Sequence, residues 1–286
     1  MSTFREEVIK YEKLCEEHDV PKETVMAFLV ELSQEERYNL YVNFEEEMPK
    51  ELFEKFNAGM QRILKQEPMA HVLGYSWFYG YKMISSPDAL IPRVETEELC
   101  AQILARIDEL FSEGKIDVVD VGTGSGAIAI TLDKEESRIN MKASDISEDA
   151  LGLAKRNAEI NEASIEFVSG DMLKPFIDNK NKFDILVCNP PYIPEEEEME
   201  VSVVDYEPSV ALFGGKDGLK FYREVFRDCK EVLKPRAMMA FEMGWNQKEA
   251  MTKLIEEMLG DVKYEFVKDM NGKNRMLFVY FGIDKL

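Results

Sequence analysis

The stretch Ile116-Asp117-Val118-Val119-Asp120-Val121-Gly122-Thr123-Gly124-Ser125-Gly126-Ala127-Ile128 decides the fold of this chain. Its first six residues predict a buried strand, the glycine-rich residues a tight loop, and the apolar residues after them the start of a helix. Glycines let a backbone turn sharply and approach a ligand closely, because a Cβ there would collide with it. The spacing differs from the dinucleotide fingerprint, in which two residues separate the last pair of glycines. The stretch therefore predicts an α/β nucleotide-type site for which pyrophosphate is not the first choice of ligand.

Two further strands are predicted downstream, and each leads to an acidic residue. Ile139 to Ser144 leads to Asp145, about 20 residues beyond the glycine loop, the distance at which an acid meets ribose hydroxyls. Ile165 to Val168 leads to Asp171 and Met172, a carboxylate and a flat-packing thioether suited to flank an adenine. Open α/β sheets bind their ligands at the carboxyl ends of such strands. These residues therefore predict an adenosine-containing cofactor.

Each of these features also has a purely structural interpretation. Gly122 to Gly126 fits a tight turn, Asp145 fits a helix start with Ser147 as N-cap, and Met172 fits packing. All of them fall in register at the ends of successive strands, however, and that coincidence favours a binding site.

A fourth strand, Phe183 to Cys188, delivers Asn189-Pro190-Pro191-Tyr192. The side-chain oxygen of Asn189 and the backbone oxygen of Pro190 can accept both protons of one NH2 group, while Tyr192 covers the plane of the attached atoms. The prolines fix φ and remove backbone donors, so the carbonyl groups keep their direction. Asn-Pro also simply begins turns, but its position directly after a strand predicts a clamp for a planar amino group.

An adenosine cofactor beside an amino-group clamp indicates N-methylation from S-adenosyl-L-methionine, with S-adenosyl-L-homocysteine as the product. The lone pair of an amide or arylamine nitrogen is delocalised, which makes it a poor nucleophile. The hypothesis is that Asn189, Pro190 and Tyr192 are catalytic through in-line positioning and stabilisation of developing positive charge, without a dedicated general base.

The remaining reactive residue types form no competing pattern. The chain has two histidines, His18 and His71, and four isolated cysteines, Cys15, Cys100, Cys188 and Cys229. Without a C-x-x-C pair, zinc and dithiol chemistry have no support, and no metal site is predicted.

Composition limits the compartment and the partners. The chain has 286 residues and a net charge of −21, from 35 Lys and Arg against 56 Asp and Glu. This excess of acid argues against a large phosphate-neutralising surface, so no direct nucleic-acid contact is expected and a basic protein partner fits better. The charged amino terminus and the absence of a long apolar run predict no membrane association and a cytoplasmic location.

Helical periodicity dominates the beginning of the chain, and the expected organisation has three parts. Residues 1–70 form a helical bundle for substrate recognition, residues 71–91 form a linking β-hairpin, and residues 92–286 form the methyltransferase domain. Thr96 is expected to cap the first helix of that domain. Asn271-Gly272 between two apolar runs predicts a hairpin, and hence an antiparallel strand in an otherwise parallel sheet.

Over nearly its full length the chain closely resembles the peptide chain release factor glutamine methyltransferases, the HemK/PrmC family. The matching stretches are Gly74 to Gly80, Leu90 to Glu97, Asp120 to Ile128, Asn189 to Ile193, Tyr206-Glu207-Pro208, Ala211-Leu212, Gly215 to Gly218, and Glu242-Met243-Gly244-Trp245. The chain departs from the family pattern at Met172, where an aromatic residue is usual, and at Val94, where proline is usual.

The resemblance implies a Rossmann-like class I SAM-dependent methyltransferase sheet of seven strands, with an N-terminal bundle of five helices and a linking hairpin. It implies methyl transfer to the side-chain amide nitrogen of the glutamine in the Gly-Gly-Gln (GGQ) motif of class 1 peptide chain release factors, which would be the partners. By position, it implies glutamine binding by Asn189, Pro190, Pro191 and Tyr192. It also implies cofactor binding by Gly122, Thr123, Gly124, Ser125, Gly126, Asp145, Met172 and Asn189.

Other readings stay open from the sequence. A sister enzyme that methylates a glutamine of ribosomal protein L3 shares the clamp, although Glu95-Thr96-Glu97 after Pro92-Arg93 looks more like the release-factor branch. A nucleic-acid adenine or cytosine amino methyltransferase matches the clamp chemically but not the acidic composition. A non-catalytic adaptor that retains cofactor binding would not need an intact clamp.

Overall fold

The computed structural model describes residues 2–35, 40, 44–111, 113–197 and 205–283. These residues divide into two compact units. One holds the described residues up to Tyr75 together with Asp205 and Tyr206, and the other holds the rest, from Ser76 onward. The division therefore falls inside the first strand of the linking hairpin.

The first unit is helical within its described residues. Its helices are α1 (Phe4–Glu17), α2 (Glu23–Glu35), α3 (Lys50–Ile63) and α4 (Met69–Leu73). Thr3 and Glu6 form a reciprocal capping box that satisfies two backbone donors at the start of α1. Large apolar side chains, among them Phe4, Phe28 and Phe56, are buried in a core of their own. The fifth helix expected for this bundle falls in a part of the chain that includes residues outside those described.

The second unit contains a two-stranded hairpin and a seven-stranded sheet. The hairpin strands are β1 (Tyr75–Phe78) and β2 (Tyr81–Ile84). The sheet strands are β3 (Ile116–Val121), β4 (Ile139–Asp145), β5 (Ile165–Ser169), β6 (Phe183–Cys188), β7 (Leu233–Glu242), β8 (Lys263–Lys268) and β9 (Asn274–Phe281). Their order is β5-β4-β3-β6-β7-β9-β8, with β9 antiparallel to both of its neighbours. The predicted Rossmann-like sheet with seven strands and a linking hairpin is confirmed.

Helices cover both faces of this sheet. They are α5 (Val94–Leu110), α6 (Ala127–Glu135), α7 (Glu148–Ile160), α8 (Lys174–Asp178), α9 (Lys220–Val232) and α10 (Lys248–Met258). The central strands are apolar on both faces because alternate residues feed two separate cores. Val118 and Ile185 pair across β3 and β6 and pack in the core with α5 and α6, whereas the next pair, Val119 and Leu186, packs with α9 and α10.

The parallel register brings the ends of β3, β4 and β6 to one edge of the sheet. Asp120 pairs with Ala143 on one side and with Val187 on the other, so the glycine loop, Asp145 and Asn189 all follow strand ends at that edge. This is the edge at which α/β sheets bind ligands.

Two details differ from the sequence expectations. Helix α5 begins at Val94 with Arg93 as its N-cap and no side-chain cap, so Thr96 lies inside the first turn and the prediction that it caps the helix is wrong. The apolar run predicts this strand over Ala237 to Met243, but β7 begins at Leu233, because its first residue pairs with Phe183 across an irregular register. The Asn271-Gly272 hairpin joins β8 and β9 as predicted.

No helix in the described part of the chain is both long enough and apolar enough to cross a bilayer.

Candidate active site

The glycine loop is held by its own backbone and by two carboxylates. The N–H groups of Gly122 and Thr123 both donate to Ser144 O of the neighbouring strand, each at 2.9 Å. Thr123 Oγ1 donates to Asp120 Oδ2 at 2.6 Å. The loop ends at Gly126, which is the N-cap of α6 with φ of +83°. These bonds fix the path of the loop across the carboxyl edge of β3.

Asp145 lies between the glycine loop and the start of α7. Its Oδ2 accepts from Gly124 N at 2.9 Å, and its Oδ1 accepts from Ser147 N at 2.9 Å. Ser147 is also the N-cap of α7, since its side chain accepts from Ala150 N, as the structural interpretation of this segment predicts. Each carboxylate oxygen has a second lone pair, so Asp145 can still accept hydroxyl hydrogens from a ligand.

Asp120 is a buried carboxyl group beneath the loop. Its side chain is 0% exposed, and Oδ1 has no hydrogen-bond partner among the described residues. Burial raises the pKa of Asp120 to about 7; the hydrogen bond from Thr123 opposes this shift and the charge of Asp145 adds to it. Asp120 stabilises the glycine loop, because its Oδ2 accepts the hydrogen bond from the Thr123 hydroxyl.

A cleft opens at this edge, with about 820 Å³ of empty space when the solvent at its mouth is included. Of the predicted site residues, it brings together seven: Gly122, Thr123, Gly124, Ser125, Asp145, Asn189 and Pro191. Its other walls come from three short segments and include Ala89, Leu90, Pro92, Arg93, Thr96, Ile146, Pro208 and Val210.

Five predicted residues lie outside the cleft lining formed by the described residues. Gly126 begins α6, and Pro190 is buried. Tyr192 and Met172 are partly buried and pack against the core on the α9 and α10 face of the sheet. Asp171 is exposed, and its backbone oxygen accepts from Lys174 N at 3.1 Å.

The clamp is tied to the end of the neighbouring strand β7. Asn189 Nδ2 donates to Glu242 Oε2 at 3.1 Å and to Thr96 Oγ1 at 3.3 Å. Thr96 Oγ1 donates to the same Glu242 Oε2 at 2.6 Å, and Tyr192 OH donates to Glu242 Oε1 at 3.1 Å. Glu242 is 2% exposed, and burial raises the pKa of its carboxyl group. One buried carboxylate thus contacts both ends of the clamp.

Further groups hold the tyrosine end of the clamp. Arg275 Nη1 donates to Tyr192 OH at 3.4 Å, and Gln247 Nε2 donates to Tyr192 O at 3.0 Å. Tyr222 OH donates to the backbone oxygen of Glu242 at 2.7 Å. Burial raises the pKa of Tyr192, and the charge of Glu242 raises it further, so the phenol stays protonated and serves as a donor.

The residues that surround the clamp were not among the site residues expected from the sequence. Glu242, Thr96 and Arg275 act together with it, and Arg93 on the cleft wall pairs with the buried Glu207. A signal for Glu242 was available, because a carboxylate that ends an apolar strand beside the clamp strand has to meet the same sheet edge. No local sequence signal pointed to Thr96, since Glu242, the residue that its hydroxyl bonds, is 146 residues away in the chain.

Two family profiles match the chain. The PrmC N-terminal domain matches residues 9–74, and the Methyltransferase small domain matches residues 100–205. The first match lies in the helical unit, and the second includes the glycine loop, Asp145 and the clamp.

Two bacterial proteins named release factor glutamine methyltransferase are similar to most of the chain. The Bacillus cereus protein is 40% identical over 244 residues, which cover 85% of this chain and 86% of that protein. The Bacillus subtilis protein is 41% identical over 245 residues, which cover 85% of each. A solved methyltransferase from Pyrococcus furiosus has the same fold, with a TM-score of 0.52 at 18% identity over 79% of this chain and 98% of that one.

Proposed function

Because the chain belongs to the release factor glutamine methyltransferase family, we propose that it methylates a class 1 peptide chain release factor. The reaction transfers a methyl group from S-adenosyl-L-methionine to the side-chain amide nitrogen of the glutamine in the GGQ motif and leaves S-adenosyl-L-homocysteine. The observation that carries the proposal is the Asn189-Pro190-Pro191-Tyr192 clamp, which follows β6 directly beside the glycine-loop cleft. The reaction takes place in the cytoplasm, where release factors act.

The residues of the cleft fit an adenosine-containing methyl donor. Gly122 and Gly124 have positive φ, and a Cβ on Gly122 would point into space free of described atoms within 4 Å, which is room that a ligand would fill. Asp145 keeps acceptor capacity for two ribose hydroxyls. We assign the cofactor to Gly122 through Ser125, Asp145 and Asn189 of the cleft; Gly126, Asp171 and Met172, which lie outside the cleft lining of the described residues, stay predicted cofactor contacts. The bound cofactor supplies a methyl group on a sulfonium, ready for transfer to a nucleophile.

The clamp residues orient the amide of the incoming glutamine. Asn189 Oδ1 and Pro190 O accept the two amide hydrogens, Pro191 keeps the turn rigid, and Tyr192 covers the amide plane. Holding both hydrogens in one plane leaves the nitrogen lone pair perpendicular to that plane and directed at the donor. Catalysis is then positioning plus stabilisation of the charge that develops on nitrogen. The amide nitrogen loses a proton after transfer, so no strong base is needed beforehand.

The test uses the purified chain with methyl-labelled cofactor. A class 1 release factor, the same factor with the GGQ glutamine changed to alanine, ribosomal protein L3, RNA and DNA are incubated separately. We expect label only in the unaltered release factor, with one added methyl group on its GGQ peptide by mass spectrometry. Label in L3 or in nucleic acid but not in the release factor would overturn the proposal.

The Asn189→Ala variant tests the role of the clamp in the same assay. We expect turnover to fall at least 100-fold, comparable to the loss of a preorganised donor in an oxyanion hole, while the melting temperature changes little because Asn189 is only partly buried. The matched control is Asn140→Ala, an exposed asparagine on β4 that bonds Asp117. Normal turnover by Asn189→Ala would remove the clamp from the mechanism.

A further inference from the structure

Glu242 has a place in the structure that its sequence environment does not explain. It ends β7, a strand otherwise apolar from Ala237 onward, and it is almost completely buried. Burying a carboxylate is unfavourable unless it is well hydrogen-bonded. Its bonds go to the clamp at Asn189 and Tyr192 and to Thr96, so whatever Glu242 contributes is exerted at the site of methyl transfer.

We propose that Glu242 is the positioning residue that sets the orientation of the Asn189 amide, so that its oxygen and not its NH2 group meets the substrate nitrogen. The inference rests on the proposed function, because it concerns the amide that receives the glutamine. Glu242 acts through Asn189 and does not touch the substrate.

An asparagine side chain can adopt two orientations of nearly equal shape. Its oxygen and its NH2 group are nearly the same size, so shape alone does not decide which of them faces the cleft. The wrong orientation would present two donors to a substrate group that is itself a donor. A glutamine NH2 would then be repelled, and Asn189 could not act as an acceptor.

Hydrogen-bond polarity resolves this ambiguity. An ionised carboxylate only accepts, so Glu242 Oε2 at 3.1 Å selects the NH2 group of Asn189. Thr96 gives its one proton to the same oxygen at 2.6 Å, so its own oxygen can also accept from Asn189 Nδ2, at 3.3 Å. Both contacts hold Nδ2 on the protein side, and neither of them uses Oδ1.

The same carboxylate holds the aromatic end of the clamp. Tyr192 OH donates to Oε1 at 3.1 Å, while Arg275 approaches the phenol from the other side at 3.4 Å. Three donors therefore share the two oxygens of Glu242. Replacing one oxygen by NH2 disturbs this arrangement, because either Asn189 and Thr96 then meet an NH2 group, or the Tyr192 hydroxyl loses its acceptor and has to turn to accept.

The decisive variant is Glu242→Gln, which keeps the volume and changes only the hydrogen-bond polarity. We expect kcat for release-factor methylation to fall at least 10-fold, equivalent to about 1.4 kcal/mol of transition-state stabilisation. The dissociation constant for S-adenosyl-L-homocysteine, measured by calorimetry, and the KM for the release factor should stay within threefold. A merely structural role would instead lower the melting temperature and weaken cofactor binding together with turnover.

Two further comparisons control for folding. Glu265→Gln changes a carboxylate on β8 that also accepts from a tyrosine, Tyr280, but is remote from the clamp, and it should leave kcat within twofold of the unaltered chain. Thr96→Val should lower kcat at least threefold, and Thr96→Ser, which retains the hydroxyl, should restore it. If Glu242→Gln does not fold, the comparison of Thr96→Val with Thr96→Ser still tests whether the hydrogen bonds of Glu242 position Asn189.

The outcomes separate the inference from the function it rests on. If the unaltered chain does not label the release factor, the proposed function fails and the inference falls with it. If the unaltered chain is active and Glu242→Gln retains kcat within threefold, or Thr96→Ser is no better than Thr96→Val, the positioning role is wrong and the proposed function stands.

Discussion

Asp120 is a carboxyl group that loses its charge more readily in the folded chain than in the unfolded one. Burial raises its pKa to about 7 from an ordinary value of 3.8. Between these two values the folded state binds more protons than the unfolded state, so the free energy of unfolding decreases as the pH rises from about 4 to about 7. The ionised side chain destabilises the fold above pH 7.

Replacement by asparagine removes this dependence and keeps an acceptor for the Thr123 hydroxyl. We expect the free energy of unfolding of Asp120→Asn, relative to the unaltered chain, to rise by about 2–3 kcal/mol between pH 5 and pH 8. Urea unfolding of both proteins at the two pH values measures this difference, and all other titrating groups cancel. A difference that stays constant, or falls as the pH rises, would show that the pKa of Asp120 is not raised.

Single residues also mark the limit of what the sequence predicts at the site. Asn189 was recognised because a strand and two prolines surround it in the chain, and Asp145 because of its distance from the glycine loop. Thr96 was mistaken for a helix cap, since threonine is a common N-cap, whereas its hydroxyl bonds a carboxylate far away in sequence. Local patterns do not contain such long-range pairs.

Among the elements, the crossing of α6 and α7 depends on Gly126. This residue has φ of +83°, and an added Cβ would lie 3.1 Å from the Cβ of Ala154 on α7. We expect Gly126→Ala to lower the free energy of unfolding by about 2–4 kcal/mol, from the left-handed conformation and the overpacking combined.

Gly114→Ala separates the two contributions. Gly114 has φ of +84°, but an added Cβ would meet no described atom within 4 Å. Only the conformational term applies there, about 1–2 kcal/mol. Chemical denaturation of both variants measures the difference, and equal losses would mean that the helix contact contributes nothing.

Most element positions follow from the sequence because apolar periodicity and turn residues are local. The strands from β3 to β6 and the hairpin at Asn271-Gly272 lie where the pattern predicts them. The start of β7 was missed because Lys234 and Pro235 look like a loop, yet Lys234 lies in the strand, where Asp117 and Asp184 accept from its ammonium group at 2.6 and 2.7 Å. Pairing with the neighbouring strand overrides the local preference there.

At the scale of the whole molecule, we propose that residues 1–70, 71–91 and 92–286 serve as recognition bundle, linker and catalytic domain. Every residue that lines the cleft belongs to the second compact unit, and the helical unit has a separate core. A fragment of residues 74–286 should therefore bind S-adenosyl-L-homocysteine within threefold of the full chain. Its methylation of an intact release factor should fall at least 10-fold.

Calorimetry and the labelling assay measure the two quantities on the same fragment. A short peptide that contains the GGQ sequence serves as the control substrate, and the fragment and the full chain should methylate it at similar rates. Full activity of the fragment on the intact factor would assign recognition to the second unit alone.

Strand β9 lies between β7 and the edge strand β8, so the last strand of the chain is inserted between two strands that are made before it. During synthesis on the ribosome, β7 is made before β9, and the apolar edge of β7 that pairs with β9 stays unpaired until β9 has been made. Arg275, which supports the Tyr192 hydroxyl, arrives with that same strand. We expect a nascent chain interrupted before β9 to be inactive and to expose an apolar strand edge of the kind that chaperones and proteases recognise. We therefore expect methylation activity to appear only after translation has passed β9, because that strand supplies both the pairing of β7 and Arg275.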